Sequence, residues 1–189
     1  SGLDALEQIP MQLGRMHASH PMIISDKGVG AAGLIDKVIQ ALGDGLKIGA
    51  VYDQVPVDSD YKVVDDAAKV YRRNGCDAII AIGGGSVIDT AKGVNIVASL
   101  GGDSLLAYEG FGAVKRRLRP LVVVPTTAGT GSEMTLVAVI ADPDRKIKML
   151  FPSYFIQPDL AVLDPRMTLT LPDFLTASTA MDAMTHACE

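Results

Sequence analysis

An apolar run, Ala78-Ile79-Ile80-Ala81-Ile82, leads directly into Gly83-Gly84-Gly85-Ser86 and then into a helical stretch. Glycines let an anion approach the backbone, and the free N–H groups and positive dipole end of a helix beginning near Val87 offer it donors, so the run reads as a cradle for a pyrophosphate. The plainer alternative is a tight strand-to-helix turn that needs positive φ angles, for which one glycine would suffice. Neither common nucleotide fingerprint applies. Ile88 stands where G-x-G-x-x-G needs its third glycine, and Lys92 lies too far beyond the glycines for a P-loop, which disfavours a kinase or NTPase.

Two other loops carry suitable chemistry at strand ends. Asp26 closes the run Met22-Ile23-Ile24, at the carboxyl edge where open α/β sheets bind ligands. A carboxylate there can accept both hydroxyls of a ribose and repel a 2′-phosphate, which points to NAD(H); equally, it can cap the loop that follows. Pro125-Thr126-Thr127-Ala128-Gly129-Thr130-Gly131-Ser132 follows another apolar strand with four hydroxyls and two glycines, enough to hold adenine, phosphate or ribose groups without charge. Asp182 and His186 lie four residues apart on the last helical segment, so both project from one face as a metal pair requires. Two ligands alone are more readily read as a surface Asp–His hydrogen bond, and nothing recommends His17 or His20 as further ligands.

The elements that must position these residues alternate. Apolar spacing predicts a helix over 3–17, a strand at Met22–Ile24, a helix over 30–43 closed by Gly43, a strand over 47–51 and a helix over 60–74. The strand Ala78–Ile82 precedes a helix reaching about Leu100. Leu121–Val124 and Leu160–Leu163 read as buried strands, and 135–141 with 146–150 as an antiparallel pair around Asp142-Pro143-Asp144. Almost wholly apolar strands separated by helices imply a parallel sheet covered on both faces, so the fold class is α/β, a Rossmann-like doubly wound sheet with an antiparallel hairpin. Pro172 fits the start of a new helix running toward Glu189, whose apolar Phe174, Leu175, Met181 and Met184 have little following chain to pack against.

Composition bounds the function. The 189 residues are 48% hydrophobic, enough for a sizeable core, and 22 acidic against 17 basic residues give a net charge of −5. No basic stripe marks a nucleic-acid partner, and the cluster Lys115, Arg116, Arg117 and Arg119 reads as a solvated loop. With no Trp and 5% aromatic residues, a base-stacking platform is not indicated. No apolar stretch approaches the ~20 residues of a membrane span, no signal segment opens the chain, and Cys76 and Cys188 read as free thiols; a cytoplasmic location is expected.

Three stretches occurring in order resemble signatures of the iron-containing (group III) alcohol dehydrogenase family, which includes lactaldehyde reductases and propanediol dehydrogenases. They are Ala81-Ile82-Gly83-Gly84-Gly85-Ser86-Val87-Ile88-Asp89-Thr90-Ala91-Lys92, Pro125 through Glu133, and Met181-Asp182-Ala183-Met184-Thr185-His186-Ala187. The resemblance covers the whole chain and implies a Rossmann-like domain over 1–171, with 172–189 opening an all-helical metal and substrate domain. It implies that Asp26 holds the adenosine ribose, Gly83, Gly84, Gly85 and Ser86 the pyrophosphate, and Thr126, Thr127 and Thr130 the adenosine and phosphate side. Asp89 is placed near the nicotinamide half, and Lys148 matches a lysine that reaches the cofactor ribose. Asp182 and His186 become the first two of four ligands to Fe²⁺, with Zn²⁺ as the other candidate metal.

The expected activity of the intact parent is therefore NAD(H)-linked, metal-assisted hydride transfer between a small primary alcohol and its aldehyde, by a homo-oligomer with no nucleic-acid or membrane partner. The alternatives are a zinc enzyme resembling glycerol dehydrogenase or dehydroquinate synthase, against which Pro125 through Glu133 argues, and a dinucleotide-binding module without chemistry. This chain matches the first half of the family pattern, without two later histidine ligands and the helical domain, and is expected to be inactive alone.

Overall fold

A computed structural model describes residues 1–188. Its strands are β1 (Pro21–Ile24), β2 (Ala50–Tyr52), β3 (Ala78–Gly83), β4 (Leu121–Pro125), β5 (Val137–Asp142), β6 (Ile147–Pro152) and β7 (Leu160–Ala161). Five of them form one all-parallel sheet in the order β2-β1-β3-β4-β7, while β5 and β6 pair antiparallel as a separate ribbon. The helices are α1 (Ile9–Arg15), α2 (Lys27–Ala31), α3 (Leu34–Leu42), α4 (Tyr61–Arg73), α5 (Gly85–Leu100) and α6 (Asp173–Cys188). This is the doubly wound α/β layout expected from the sequence.

Strand side chains alternate between faces, and both faces are buried. Ile79 and Ala81 join Met22, Ile24, Val123 and the α4 and α5 residues Val64 and Val94 in one core. Ala78, Ile80 and Ile82 join Ile23, Val122, Val124 and the α1 and α3 residues Leu13 and Val38 in the other. The central helix α5 packs against β3, α4 and β5 together, which is why it is apolar around most of its circumference.

The topology places the expected chemistry. From β1 the chain goes outward to β2, then returns to lay β3 on the other side of β1 and continues away to β4. The carboxyl ends of β1 and β3 thus flank the point where strand order reverses, the crevice in which open α/β sheets take ligands. Asp26 follows β1, and Gly83–Gly85 follow β3.

Several predicted boundaries shift, each for a local reason. The helix expected over 3–17 begins as a 3-10 turn at Leu6–Gln8 and becomes α-helical only at Ile9, with Pro10 in the first turn, where its missing N–H leaves no bond unmade. The helix expected over 30–43 is two helices, because Gly33 takes a left-handed φ of 71° between α2 and α3. The strand expected over 47–51 is registered later, at Ala50–Tyr52, and β7 spans two residues rather than four. Helix α6 starts at Asp173, and among the described residues it buries none of its own; the predicted end at Glu189 lies outside those residues.

Candidate active site

Two cavities meet at the start of α5. The larger, of about 820 Å³, lies over the carboxyl ends of β1, β3 and β4 and is bordered by Asp26, Gly84, Ser86, Thr126, Thr127 and Thr130, with Val29, Val55 and Leu171 among its apolar walls. The smaller, of about 480 Å³, is bordered by Asp89, Ser132, Val139, Lys148, Asp182 and His186. Gly85, Ser86 and Thr130 border both. A two-part ligand spanning both cavities would have its middle at the glycine turn, whose residues they share.

That turn has an open helix end. The first bond into α5 runs from the Ile88 N–H to the Gly84 carbonyl at 3.1 Å, and no side chain caps the helix. The N–H groups of Gly85, Ser86 and Val87 therefore lack the partners that interior helical groups have, as an anion site requires. The positive-φ alternative does not hold: none of Gly83, Gly84 and Gly85 has a left-handed φ. Their lack of side chains serves close packing instead. A Cβ on Gly83 would stand 2.6 Å from Val87 Cγ2, one on Gly84 3.1 Å from Thr127 Oγ1, and one on Gly85 3.0 Å from Thr130 Cγ2. The glycine turn and the threonine loop are thus fitted to each other before any ligand is added.

Asp26 performs the capping role that the sequence left open, since its Oδ1 accepts the Val29 N–H at 2.9 Å at the start of α2. Capping uses one carboxylate oxygen and leaves Asp26 on the wall of the larger cavity, compatible with a ribose on the other. Lys148 is not on that side. Its ammonium lies 2.9 Å from Asp58 Oδ1, and both residues border the smaller cavity.

Asp182 Oδ1 and His186 Nε2 are 3.7 Å apart. That is too long for a hydrogen bond. It is close to the roughly 3.4 Å expected between two donors each about 2.1 Å from one tetrahedral ion. No cluster of three or more His, Cys, Asp or Glu side chains that could hold a metal occurs among the described residues. The pair thus has the spacing of two corners of a tetrahedral site, with no third corner among the described residues.

Asp89 and Lys92, three residues apart on α5, hold the far wall of the smaller cavity. Asp89 accepts the Ser132 hydroxyl on one oxygen and the Val139 N–H at 3.0 Å on the other. Lys92, with no exposed surface, donates to the Thr135 carbonyl at 3.1 Å, the Thr135 hydroxyl at 2.8 Å and the Val137 carbonyl at 2.8 Å. Sequence reasoning assigned Lys92 no role beyond excluding a P-loop; the signal available was a lysine in the middle of an otherwise apolar helix face. Burial raises the Asp89 carboxyl above the usual carboxylate range, against the Ser132, Val139 and Lys92 contacts that lower it.

Burial also pushes Lys92 down to about 8 from 10.5, opposed by Asp89 and Glu133. Below pH 8 the ammonium is protonated in both folded and unfolded chains. Between about 8 and 10.5 the unfolded chain binds the extra proton, so the Lys92 contribution to stability rises with pH across that window. Denaturant unfolding of the wild type and Lys92→Met at about pH 7.5 and pH 10 should show their difference moving toward the wild type by on the order of 1–3 kcal/mol. A difference that does not change with pH would contradict this titration.

A doubly wound α/β unit with an open helix end at its strand crossover and an Asp–His pair on a neighbouring helix defines a class of fold and site, and similarity to known proteins narrows it. A family model for iron-containing alcohol dehydrogenase matches residues 1–165. The chain is 41% identical over 188 residues to 4-hydroxybutyrate dehydrogenase of Cupriavidus necator, covering 98% of this chain and 48% of that protein. Among solved structures it superposes on 1,3-propanediol oxidoreductase with a TM-score of 0.93 at 35% identity, covering 100% of this chain and 49% of the other. On sulfoacetaldehyde reductase from Bifidobacterium kashiwanohense in complex with NAD⁺ the TM-score is 0.86 at 30% identity, covering 97% and 48%. The chain belongs to the iron-containing alcohol dehydrogenase family. It spans about half the length of the curated relatives it matches.

Proposed function

We propose that the full-length protein containing this chain carries out reversible hydride transfer between NAD(H) and a small primary alcohol or its aldehyde, assisted by Fe²⁺. The observation that carries this reading is the meeting of the two cavities at Gly85, Ser86 and Thr130, with a ribose-competent carboxylate in one and the Asp182–His186 pair in the other. When bound, NAD(H) supplies the hydride donor or acceptor, and the metal supplies the Lewis acidity that polarises the substrate oxygen.

The chain's own groups bind and orient. The Asp26 carboxylate accepts ribose hydroxyls, the Gly85, Ser86 and Val87 N–H groups receive the pyrophosphate, and the hydroxyls of Thr126, Thr127 and Thr130 flank it. Asp89, through Ser132 and Val139, holds the wall against which the nicotinamide half lies. Lys148, steadied by Asp58, borders the same half. Asp182 and His186 hold the metal with ligands from a following helical domain, of which 172–189 is the beginning and to which 1–171 presents the nucleotide. The NAD⁺ complex of a relative with TM-score 0.86 supports the nucleotide assignment. No described helix is long and apolar enough to cross a membrane.

Turnover of short primary alcohols by the full-length protein, measured with NAD⁺ and NADP⁺ after reconstitution with Fe²⁺ or Zn²⁺, tests the reading. Calorimetric titration should show tighter NADH than NADPH binding, because the Asp26 carboxylate faces the 2′-phosphate. Asp26→Gly should narrow that preference by about tenfold or more, one charge–charge contact being worth at least ~1.4 kcal/mol at such a site, while the lost cap costs only a few tenths of a kcal/mol. Tighter NADPH binding by the unmutated protein would reject the Asp26 assignment.

A further inference from the structure

Helix α6 crosses both cavities with a single face. Leu175 and Thr179 border the larger cavity, Asp182 and His186 the smaller, and these positions follow one another at four, three and four residues. That spacing is one stripe along an α-helix. Thr179, Asp182 and Ala183 are the only positions of α6 that are half-buried among the described residues; every other one is exposed. The helix that carries the ligand pair is thus held to the rest of the chain along a narrow line.

A glycine approaches that line closely. An ideal Cβ built on Gly129, in the threonine loop, would stand 2.5 Å from the Thr179 carbonyl oxygen and 2.9 Å from Thr179 Cβ. Backbone atoms cannot turn aside as a side-chain tip can. Gly129 has no left-handed φ, so its backbone would accept alanine; only the space would not. Asp182 lies one turn beyond Thr179, and a helix moves as a rigid rod, so a shift at Thr179 is carried to both ligands.

We propose that Gly129 is a positioning residue that sets the spacing between the nucleotide-binding loop and the metal-bearing helix. This rests on the reading of Asp182 and His186 as ligands. Its absent side chain lets α6 settle against the loop at backbone contact, which fixes how far the ligand pair stands from Thr130 and Ser86, on the wall that the two cavities share. A methyl group there would displace α6 by on the order of 0.5–1 Å to regain ordinary contact distance.

The test uses the full-length enzyme loaded with Co²⁺, whose visible absorption reports ligand geometry, together with calorimetric NADH titration and steady-state kinetics. Gly129→Ala is expected to change the Co²⁺ spectrum and lower kcat by about 10- to 100-fold, the penalty of a sub-ångström to 1 Å misplacement, with NADH affinity held within about twofold. Gly14→Ala, at a glycine with nothing within 4 Å of an added Cβ, should change none of these. An unchanged spectrum and kcat in Gly129→Ala would overturn the proposal, as would a loss of NADH affinity with the spectrum intact. If Gly129→Ala does not fold, Thr179→Gly removes the Cβ on the α6 side of this packing while leaving the carbonyl in place, and so loosens the seat of α6 on the loop. It should alter the spectrum without altering NADH binding, and an unaltered spectrum overturns the proposal. His186→Ala, run in parallel, separates the two readings. A Co²⁺ spectrum that survives His186→Ala removes the ligand assignment and the proposal together, whereas one lost in His186→Ala but unmoved in Gly129→Ala removes the spacing proposal alone.

Discussion

His186→Ala in the full-length enzyme is expected to abolish metal binding and turnover together, lowering kcat/KM by at least about 10³-fold, because several kcal/mol of transition-state stabilisation depend on the ion. NADH affinity should stay within about twofold. The reason for that separation is geometric: His186 borders the smaller cavity, whereas the glycine turn and Asp26 border the larger. The chain of 189 residues by itself should bind Fe²⁺ or Zn²⁺ weakly and show no turnover even with NADH bound. A catalytic metal generally needs at least three protein ligands, and among the described residues no such group is assembled. Metal analysis alongside calorimetry decides the matter. Stoichiometric metal and normal turnover in full-length His186→Ala would leave Asp182 and His186 as a surface pair without function.

The second large effect is expected from Gly85→Val, which should weaken NADH binding by about 100-fold or more while the fold survives with a loss of about 1–3 kcal/mol from overpacking. A Cβ at this position already stands 3.0 Å from Thr130 Cγ2 and 3.2 Å from Thr130 Oγ1, so the two methyl groups of valine must push the threonine loop away from the helix end. Because Gly85 and Thr130 border both cavities, that movement opens their shared wall, the place proposed for the pyrophosphate. Gly85→Ala should be milder, since the Thr130 side chain can yield by a few tenths of an ångström. Calorimetric titration with a circular-dichroism melt separates ligand loss from unfolding. Unchanged affinity in a folded Gly85→Val protein would place the pyrophosphate elsewhere.

The sheet was legible because its signal is local and redundant. Runs such as Ile79–Ile82 and Val122–Val124 are apolar on both faces, and only a covered parallel strand accounts for that between helices. Boundaries were less legible where one residue's backbone decides them. Gly33 splits a continuous helical pattern by taking a left-handed φ, and Asp4, at a φ of 61°, interrupts the pattern before Leu6. Site residues were legible by type but not by partner. Asp26 turned out to cap α2 while bordering the cleft, and Lys148 stands against Asp58, 90 residues away in sequence. Lys92 and Gly129 carried no recognisable local signal for what they touch. Their importance lies in atoms of segments 43–50 residues distant, Thr135 and Thr179, which only the folded chain brings near.

Neither core of the sheet draws a residue from α6: β3 and α5 supply theirs, and α6 buries none among the described residues. A substitution along β3 or α5 is therefore judged first by whether the sheet still packs, whereas one along α6 leaves both of those cores as they are. That independence stops at Gly129, where any side chain would run into the α6 backbone at Thr179.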